Sequence, residues 1–288
     1  MALRRIAMTH ATEAPAELPS TTSPLAAVHT PYPGVMATLR STFRLSLVAL
    51  HIVAGLLTLR CIFPFINEAA KKRTKQRWSR NLLRVLGVRM EMWNEDLPSC
   101  AVVVCNHISW LDIFVLNARV QTLFVCKQEV RSWPAIGWLV AASGTIFIDR
   151  TSRAGAAQAL QILSDSLRKD ERVAFYPEGT TTNGTFMLPF STALFEAATL
   201  GGAHVVPMSL RYLNKQGHTS LAPAYDGDIS FVECITAITR EPWTQVCLQR
   251  LDTLPPGLSR REYAAQCERM IADNLQLQVV RGAGGAAA

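Results

Sequence analysis

Residues 101–112 read AVVVCNHISWLD, five apolar residues followed by a polar stretch with a histidine and an aspartate. A short uncharged run bounded by polar residues is typical of a buried strand. Open α/β sheets bind their ligands at the carboxyl ends of such strands. The stretch therefore predicts a buried strand, with His107 and Asp112 at a candidate site just beyond it.

Further short apolar runs alternate with helical patterns along the chain. Strands are predicted at residues 88–93, 101–105, 123–126, 145–148, 172–176 and 205–212, with a later one near 245–251. Two apolar stripes predict amphipathic helices: Ala156, Leu160, Leu163 and Leu167, then Tyr263, Cys267, Met270 and Asn274. Alternating strands and helices predict an α/β fold in which helices cover a mostly parallel central sheet.

The composition excludes several classes of protein. With 49% hydrophobic and 18% charged residues, the 288-residue chain is too apolar to be disordered as a whole. Its seven cysteines are an odd number without a C-x-x-C pair, which predicts reduced thiols facing a cytosolic compartment. No Cys/His set with metal-ligand spacing is present, so no metal is expected.

The net charge of +7 is concentrated near the N-terminus. Residues 36–84 hold ten Lys or Arg against one acid, Glu68, whereas residues 85–288 carry a net charge of −2. Nucleic-acid binders spread basic residues over the folded reading surface, so we expect no nucleic-acid partner. Basic residues that flank an apolar segment predict contact with an anionic phospholipid membrane.

Residues 45–59 (LSLVALHIVAGLLTL) form that uncharged apolar segment. As a helix they would reach about 22 Å, short of the roughly 30 Å hydrocarbon core. Extension to Ile66 would include Arg60 and Pro64. A single crossing, a bent anchor in the membrane plane and a buried core helix all stay open. For the two membrane alternatives, Arg40, Arg44 and the cluster at 71–80 (KKRTKQRWSR) are expected at the lipid headgroups.

The sequence divides into four parts. Residues 1–35 are rich in Ala, Thr and Pro and predict a disordered tail, and residues 36–80 predict the membrane-anchoring helix with its basic cluster. Residues 81–280 predict the folded domain, and the Gly/Ala-rich residues 281–288 a second disordered tail.

His107 and Asp112 have a spacing with two interpretations. Five residues apart, they would lie about 140° apart around a regular helix, so they meet only if His107 is in a loop and Asp112 begins the helix. The aspartate would then orient the imidazole, which could take a proton from a hydroxyl. Alternatively, Ser109-x-x-Asp112 is a capping box that only starts a helix.

Two other groups of polar residues follow predicted strands. In residues 175–184 (FYPEGTTTNG), a glycine allows close backbone approach to a ligand and three threonines offer hydroxyls, although a plain polar turn fits as well. Lys127 and Arg150 end two other strands and could bind a phosphate, or they could be solvated charges.

Taken together, these stretches resemble the glycerol-phosphate and lysophospholipid acyltransferase family over roughly residues 80–215. Four blocks occur in the family's order: Asn106-His107-x4-Asp112; Lys127, Pro134 and Gly137 with Gly144-Thr-Ile-Phe-Ile-Asp-Arg150; Tyr176-Pro177-Glu178-Gly179-Thr180; and Val205-Val206-Pro207.

The resemblance implies O-acyl transfer from acyl-CoA or acyl carrier protein to the hydroxyl of a lysolipid, such as 1-acyl-glycerol-3-phosphate, which gives phosphatidic acid. His107 would be the general base and Asp112 its partner. Substrate would be bound by Lys127, Arg150, Glu178, Gly179 and Thr180. No cofactor or metal is implied, and the location would be the cytoplasmic face of the inner membrane.

Thr181 departs from the family pattern, because many members with phosphate-bearing acceptors have arginine there. The Glu-Gly-Thr-Thr variant is similar to enzymes that acylate lyso-ornithine lipids, which stay an alternative. Two other classes also stay open. Cys105 and Ser109 invite a covalent lipid hydrolase, although no G-x-S-x-G elbow occurs, and the basic cluster alone would suit a non-catalytic membrane adaptor.

Overall fold

A central sheet organises the computed structural model, which describes residues 34–90, 97–128, 131, 145–148 and 153–281. The strands are β1 (Val88–Met90), β2 (Ala101–Cys105), β3 (Leu123–Lys127), β4 (Ile146–Ile148), β5 (Arg172–Phe175), β6 (His204–Leu213) and β7 (Thr244–Arg250). Their order in the sheet is β1-β7-β6-β2-β5-β3-β4. Every neighbouring pair is parallel except β6 and β7. The predicted mostly parallel sheet is confirmed.

Helices cover both faces of the sheet. They are α1 (Val35–Cys61), α2 (Glu68–Leu86), α3 (Asp112–Arg119), α4 (Arg153–Arg168), α5 (Glu196–Gly201), α6 (Phe231–Arg240) and α7 (Arg260–Leu275). The two predicted amphipathic helices are confirmed as α4 and α7. The sequence pattern did not reveal α5 and α6, or the reversal that makes β7 antiparallel to β6.

The continuous apolar run of β2 is explained by its central place. All five of its residues are fully buried. Val103 and Cys105 pack into the cluster beneath α2, α3 and α6, whereas Val102 and Val104 pack into the cluster beneath α4 and α7. A strand buried on both faces has no polar side to alternate with.

The N-terminal helices form an antiparallel pair against one face of the domain. Two contacts show the direction: His51 of α1 stacks on Trp78 of α2 at 4.5 Å, and Arg44 lies against Gly87, where α2 ends. The boundary predicted between residues 80 and 81 lies inside α2, which packs on α3. The division into domains stays a prediction.

Helix α1 is longer than the apolar run from which it was predicted. Its 27 residues correspond to about 40 Å. One face is buried against the domain through Ala37, Ser41, Val48 and Gly55. The other face exposes Met36, Leu39, Phe43, Leu50, Val53 and Leu57. The segment Val35–Phe65 contains an 18-residue window with a mean hydropathy of 2.0 and passes a length and composition test for crossing a membrane.

Arg40 and Arg44 contact the folded domain through their side chains, and their expected place at lipid headgroups stays a prediction. Arg40 donates from Nε to the carbonyl oxygen of Arg240 at 3.1 Å. Arg44 donates to the carbonyl oxygens of Glu241 at 2.7 Å and Pro242 at 2.8 Å. These carbonyls lie at the C-terminal end of α6, where cations are stabilising.

Gly87 is expected to be required for this arrangement. It has φ of 80°, and an added Cβ would overlap the Arg44 guanidinium; Gly217 has φ of 83° with nothing within 4 Å. Alanine at either position incurs about 1 kcal/mol of left-handed strain. Gly87→Ala should lower the free energy of unfolding by about 1–3 kcal/mol more than Gly217→Ala, because Arg44 must leave its carbonyls. Equal losses in denaturant titrations would contradict this role of Arg44.

Candidate active site

The carboxylate of Asp112 is the centre of the polar cluster that follows β2. Its Oδ2 atom accepts hydrogen bonds from His107 Nδ1 at 2.8 Å and from the backbone N–H groups of Ile108 at 2.7 Å and Ser109 at 2.9 Å. Its Oδ1 atom accepts from the Tyr212 hydroxyl at 2.7 Å. Asp112 is 0% exposed. The carboxylate therefore holds the histidine, as the first interpretation of the spacing predicts. The capping box of the second is only half formed, because the Ser109 hydroxyl accepts from Leu111 instead of Asp112 and the N-cap residue of α3 is Leu111.

The imidazole of His107 is fixed in orientation but remains accessible. Its ring stacks on Tyr176 with centroids 4.0 Å apart and planes 10° apart. The bond to Asp112 uses Nδ1, and no described residue bonds Nε2. The side chain is 18% exposed. Because a carboxylate beside Nδ1 favours the tautomer with a proton on that nitrogen, Nε2 is the atom that can accept a proton.

Glu178 holds the main chain of His107 from the loop that follows the neighbouring strand β5. Its Oε1 atom accepts from the His107 N–H at 2.7 Å, and its Oε2 atom accepts from the Leu188 N–H at 2.7 Å. Burial raises the pKa of Glu178 to about 7, against the lowering effect of these two bonds. Both oxygens are thus committed to the backbone, which gives Glu178 a positioning contact with His107. Its predicted role in substrate binding stays a prediction.

The loop after β5 closes on the loop after β2. The Thr182 N–H donates to the His107 carbonyl oxygen at 2.9 Å. The Thr181 hydroxyl donates to the Tyr225 carbonyl oxygen. The Tyr225 N–H in turn donates to the Ile108 carbonyl oxygen at 3.0 Å. Gly179 has φ of 76°, a conformation that glycine adopts without strain. Thr180 is exposed beside this turn.

The predicted site residues divide into two sets. His107, Asp112, Glu178, Gly179 and Thr180 lie at the carboxyl ends of the adjacent strands β2 and β5. The backbone of Lys127 ends β3, which is the next strand in the sheet. Arg150 lies outside the described residues. Within the described part of the chain, no three His, Cys, Asp or Glu side chains form a metal-binding group.

Three tyrosines belong to the cluster but were not predicted as contributors. Tyr176 was in the matched block, where an aromatic residue that precedes a Pro-Glu-Gly turn could have suggested ring stacking. Tyr212 lies 100 residues from Asp112, and burial, with the nearby Asp112 charge, raises its pKa well above 10. Tyr225 acts through its backbone. Nothing in the local sequence indicates the contacts that Tyr212 and Tyr225 make.

Together these groups form a site suited to removing a proton from a substrate hydroxyl. A single base sits at the carboxyl edge of a mostly parallel sheet, its ring is oriented by a buried carboxylate, and its backbone is held from a second strand. A positioned base of this kind contributes about 10²- to 10⁴-fold in rate.

Comparison with known proteins agrees with this class of site. The model of the Acyltransferase family matches residues 89–211. A 1-acyl-sn-glycerol-3-phosphate acyltransferase of Neisseria meningitidis is 35% identical over 161 residues, 55% of this chain and 63% of the relative. A lyso-ornithine lipid O-acyltransferase of Pseudomonas aeruginosa is 32% identical over 237 residues, 81% of this chain and 91% of the relative. The chain belongs to this acyltransferase family.

The fold has a solved counterpart. The crystal structure of a 1-acyl-sn-glycerophosphate acyltransferase from Thermotoga maritima superimposes with a TM-score of 0.61, covering 84% of this chain and 95% of that one. At 19% identity the likeness supports the fold alone. The chain spans 63% of the length of the Neisseria relative, which is less than two thirds.

Glu178 should make stability depend on pH. The pKa of Glu178 rises from 4.5 in the unfolded chain to about 7 in the folded protein, so the protonated carboxyl stabilises the fold. This stabilisation is fully present below pH 4.5 and is lost as the pH rises through 7. The free energy of unfolding should fall by about 3 kcal/mol over this interval from this group. Glu178→Gln should remove that fall in denaturant titrations across the interval.

Glu262→Gln is the matched control for this experiment. Glu262 is exposed, and the hydrogen bonds from Ser259 lower its pKa. Its substitution should leave the wild-type fall between pH 4.5 and 7 in place. Identical pH profiles for wild type and Glu178→Gln would contradict the raised pKa.

Proposed function

We propose that this protein is a lysolipid O-acyltransferase. The observation that carries the proposal is the His107–Asp112 pair, bonded at 2.8 Å, with Nε2 of the histidine left for a substrate. Family membership supplies the reaction class, since relatives named for 1-acyl-sn-glycerol-3-phosphate and lyso-ornithine lipid acylation both match.

The reaction runs without a covalent enzyme intermediate. His107 Nε2 takes the proton from the acceptor hydroxyl as its oxygen attacks the carbonyl carbon of the donor thioester. The carbon–sulfur bond then breaks, and the imidazolium returns the proton to the departing thiolate. Asp112 stabilises the imidazolium while it carries that proton. The donor is acyl-CoA or acyl carrier protein, and the reaction so written uses no cofactor or metal.

The two neighbouring nucleophiles are poorly placed for a covalent hydrolase. Cys105 is fully buried, and burial raises the pKa of its thiol well above 9. A thiol with a raised pKa is a poor nucleophile. Ser109 is also fully buried, and its hydroxyl oxygen accepts from the Leu111 N–H at 3.2 Å. Direct transfer is therefore favoured over an acyl-enzyme.

The acceptor is a lysolipid of one of two kinds. For 1-acyl-glycerol-3-phosphate, Lys127 and Arg150 would bind the phosphate and Thr180 would line the acceptor site. The lyso-ornithine alternative is supported by Thr181, whose hydroxyl is bonded to Tyr225. By the family resemblance, many members with phosphate-bearing acceptors have arginine at this position. The alternative is also supported by the match to 91% of the Pseudomonas lyso-ornithine enzyme.

Helix α1 would hold the protein on an anionic phospholipid membrane, at the cytoplasmic face of the inner membrane. Ser41 of α1 is buried and hydrogen-bonded to Thr239 of α6 at 2.8 Å, so this part of the helix is docked on the domain. Its exposed apolar face is therefore available to enter the interface lying flat. This favours a helix in the membrane plane over a single crossing.

A row of aromatic rings links this helix to the catalytic loop. Ring centroids lie 4.5 Å apart for His51 and Trp78, and 5.8 Å apart for Trp78 and Phe114. The row continues from Phe114 to Trp110 at 5.8 Å and from Trp110 to Phe231 at 4.9 Å. Trp110 is three residues after His107, so this row of contacts runs from α1 to the loop that carries the base.

Removal of the base is the direct test of this function. Purified full-length protein in detergent should transfer labelled acyl groups to a lysolipid, and His107→Ala should lower kcat by about 10²- to 10⁴-fold. His218→Ala removes an exposed histidine elsewhere and should leave kcat unchanged. A His107→Ala protein that keeps more than about a tenth of the wild-type rate would contradict the assignment of the base.

The acceptor can be tested at Thr181. Thr181→Arg should raise kcat/KM for 1-acyl-glycerol-3-phosphate relative to lyso-ornithine lipid by about tenfold, because a guanidinium binds phosphate through two hydrogen bonds. Thr181→Val is the control, since it loses the bond to Tyr225 without adding a charge. If the ratio of kcat/KM for 1-acyl-glycerol-3-phosphate to kcat/KM for lyso-ornithine lipid is the same in both variants, this position does not select the acceptor.

A further inference from the structure

A shallow pocket lies at the opposite edge of the sheet from His107. Thr122, just before β3, and Glu171 and Arg172, at the start of β5, form one side of it. Lys72 and Lys75 from the first half of α2 form the other. Since β2 has five residues at about 3.3 Å each, the pocket is about 15 Å from the catalytic edge. It is a separate site from the one described above.

The charge in this pocket is positive. Two lysines and an arginine face a single carboxylate, that of Glu171, which pairs with Lys72 at 3.1 Å. Arg172 is held in place because its guanidinium donates to the carbonyl oxygens of Pro98 and Leu97, both at 2.7 Å. Positive charge exceeds negative charge among the lining groups, which favours an anion.

The environment of Lys75 agrees with this charge balance. Burial lowers its pKa, and the charge of Lys72 lowers it further, against the opposing effect of Glu68 and Glu171. An anion in the pocket would place negative charge beside Lys72 and Lys75, which favours their charged forms.

The hydroxyl of Thr122 provides a second, independent indication of a ligand. Thr122 is 6% exposed, and its Oγ1 atom is buried without a hydrogen-bond partner among the residues that the structure describes. A buried hydroxyl without a partner is unfavourable, because it has lost water and gained nothing. The amide side chains of Asn117 and Gln121 line the same pocket. An oxyanion would give these neutral donors an acceptor.

The position of α2 indicates where such an anion would come from. The helix follows a turn in which Ile62 is exposed and Phe65 is 85% exposed. Lys72 lies in the second turn of α2, which packs against α1, and packed helices lie about 8–10 Å apart. The headgroup layer of a bilayer is about 5–8 Å thick on each side. With the apolar face of α1 in the interface, the pocket on α2 therefore lies close to the layer of lipid phosphates.

We propose that this pocket binds the phosphate of a bilayer phospholipid. The phosphate oxygens accept hydrogen bonds from Thr122 and from the ammonium groups of Lys72 and Lys75. Its binding holds the α2 end of the protein at the headgroups while the apolar face of α1 lies in the interface. The proposal rests on the membrane association proposed above and on no step of acyl transfer.

Thr122→Val separates this site from diffuse attraction between basic residues and an anionic membrane. The substitution keeps the shape and charge of the protein and removes only the hydroxyl. Full-length protein should bind phosphatidylcholine vesicles containing phosphatidylglycerol about tenfold more weakly after this change, as measured by flotation. Thr122→Ser should restore binding. Equal binding by wild type and Thr122→Val would overturn the proposal.

A charge-matched pair of variants gives a second measurement. Lys75 lines the pocket, whereas Arg73 is exposed on the same helix. Loss of any basic residue near the membrane should weaken vesicle binding about fivefold. Lys75→Met should lose clearly more than Arg73→Met, because it also loses contact with the bound phosphate. Equal losses would show that only diffuse charge acts.

Inorganic phosphate distinguishes a lipid headgroup from a soluble ligand. If phosphate raises the melting temperature of wild type but not of Thr122→Val, while the two bind vesicles equally, the pocket takes a soluble phosphate and the lipid assignment is wrong. Wild-type protein that fails to float with any vesicle would contradict the membrane association itself. Acyl transfer in detergent is measured separately, so failure of the enzyme assignment is distinguishable from both.

Discussion

The buried carboxylate of Asp112 is the group on which the arrangement of the site depends. A charge removed from water is tolerated only where hydrogen bonds replace its hydration. Here the donors are the His107 ring, the N–H groups of Ile108 and Ser109, and the Tyr212 hydroxyl. The same bonds that stabilise the charge therefore set the path of the loop after β2 and the orientation of the base.

A second carboxylate fixes the position of the histidine along the loop. Glu178 accepts from the His107 N–H, and the Thr182 N–H donates to the His107 carbonyl oxygen. Both polar groups of the His107 backbone are thus bonded to the loop that follows β5, while Tyr176 covers one face of its ring. Parallel pairing of β2 with β5 makes this possible, because it brings their carboxyl ends to the same edge. Such preorganisation lowers the cost of reaching the reactive geometry.

The N-terminal segment shows what a charge pattern leaves undecided. Arg40, Arg44 and Arg80 look the same in sequence as their basic neighbours, yet they donate to carbonyl oxygens at helix ends in the domain. Lys72 and Lys75 line a pocket, and Arg73 faces outward. The position of each residue on its helix, and the element packed against that face, decide which role a cation has. The pattern predicted attraction to a membrane as a property of the whole segment, without distinguishing these roles.

The sequence by itself determined the strands, the two amphipathic helices and the family blocks, because alternation, apolar period and motif spacing are local properties of the chain. It also placed His107 and Asp112 at the end of the central strand. Only the tertiary structure decided that Tyr212 would bond to Asp112, that Glu178 would hold the backbone of His107, and that β7 would run antiparallel to β6. These depend on segments up to 100 residues apart meeting at one edge of the sheet, and no local pattern records such a contact.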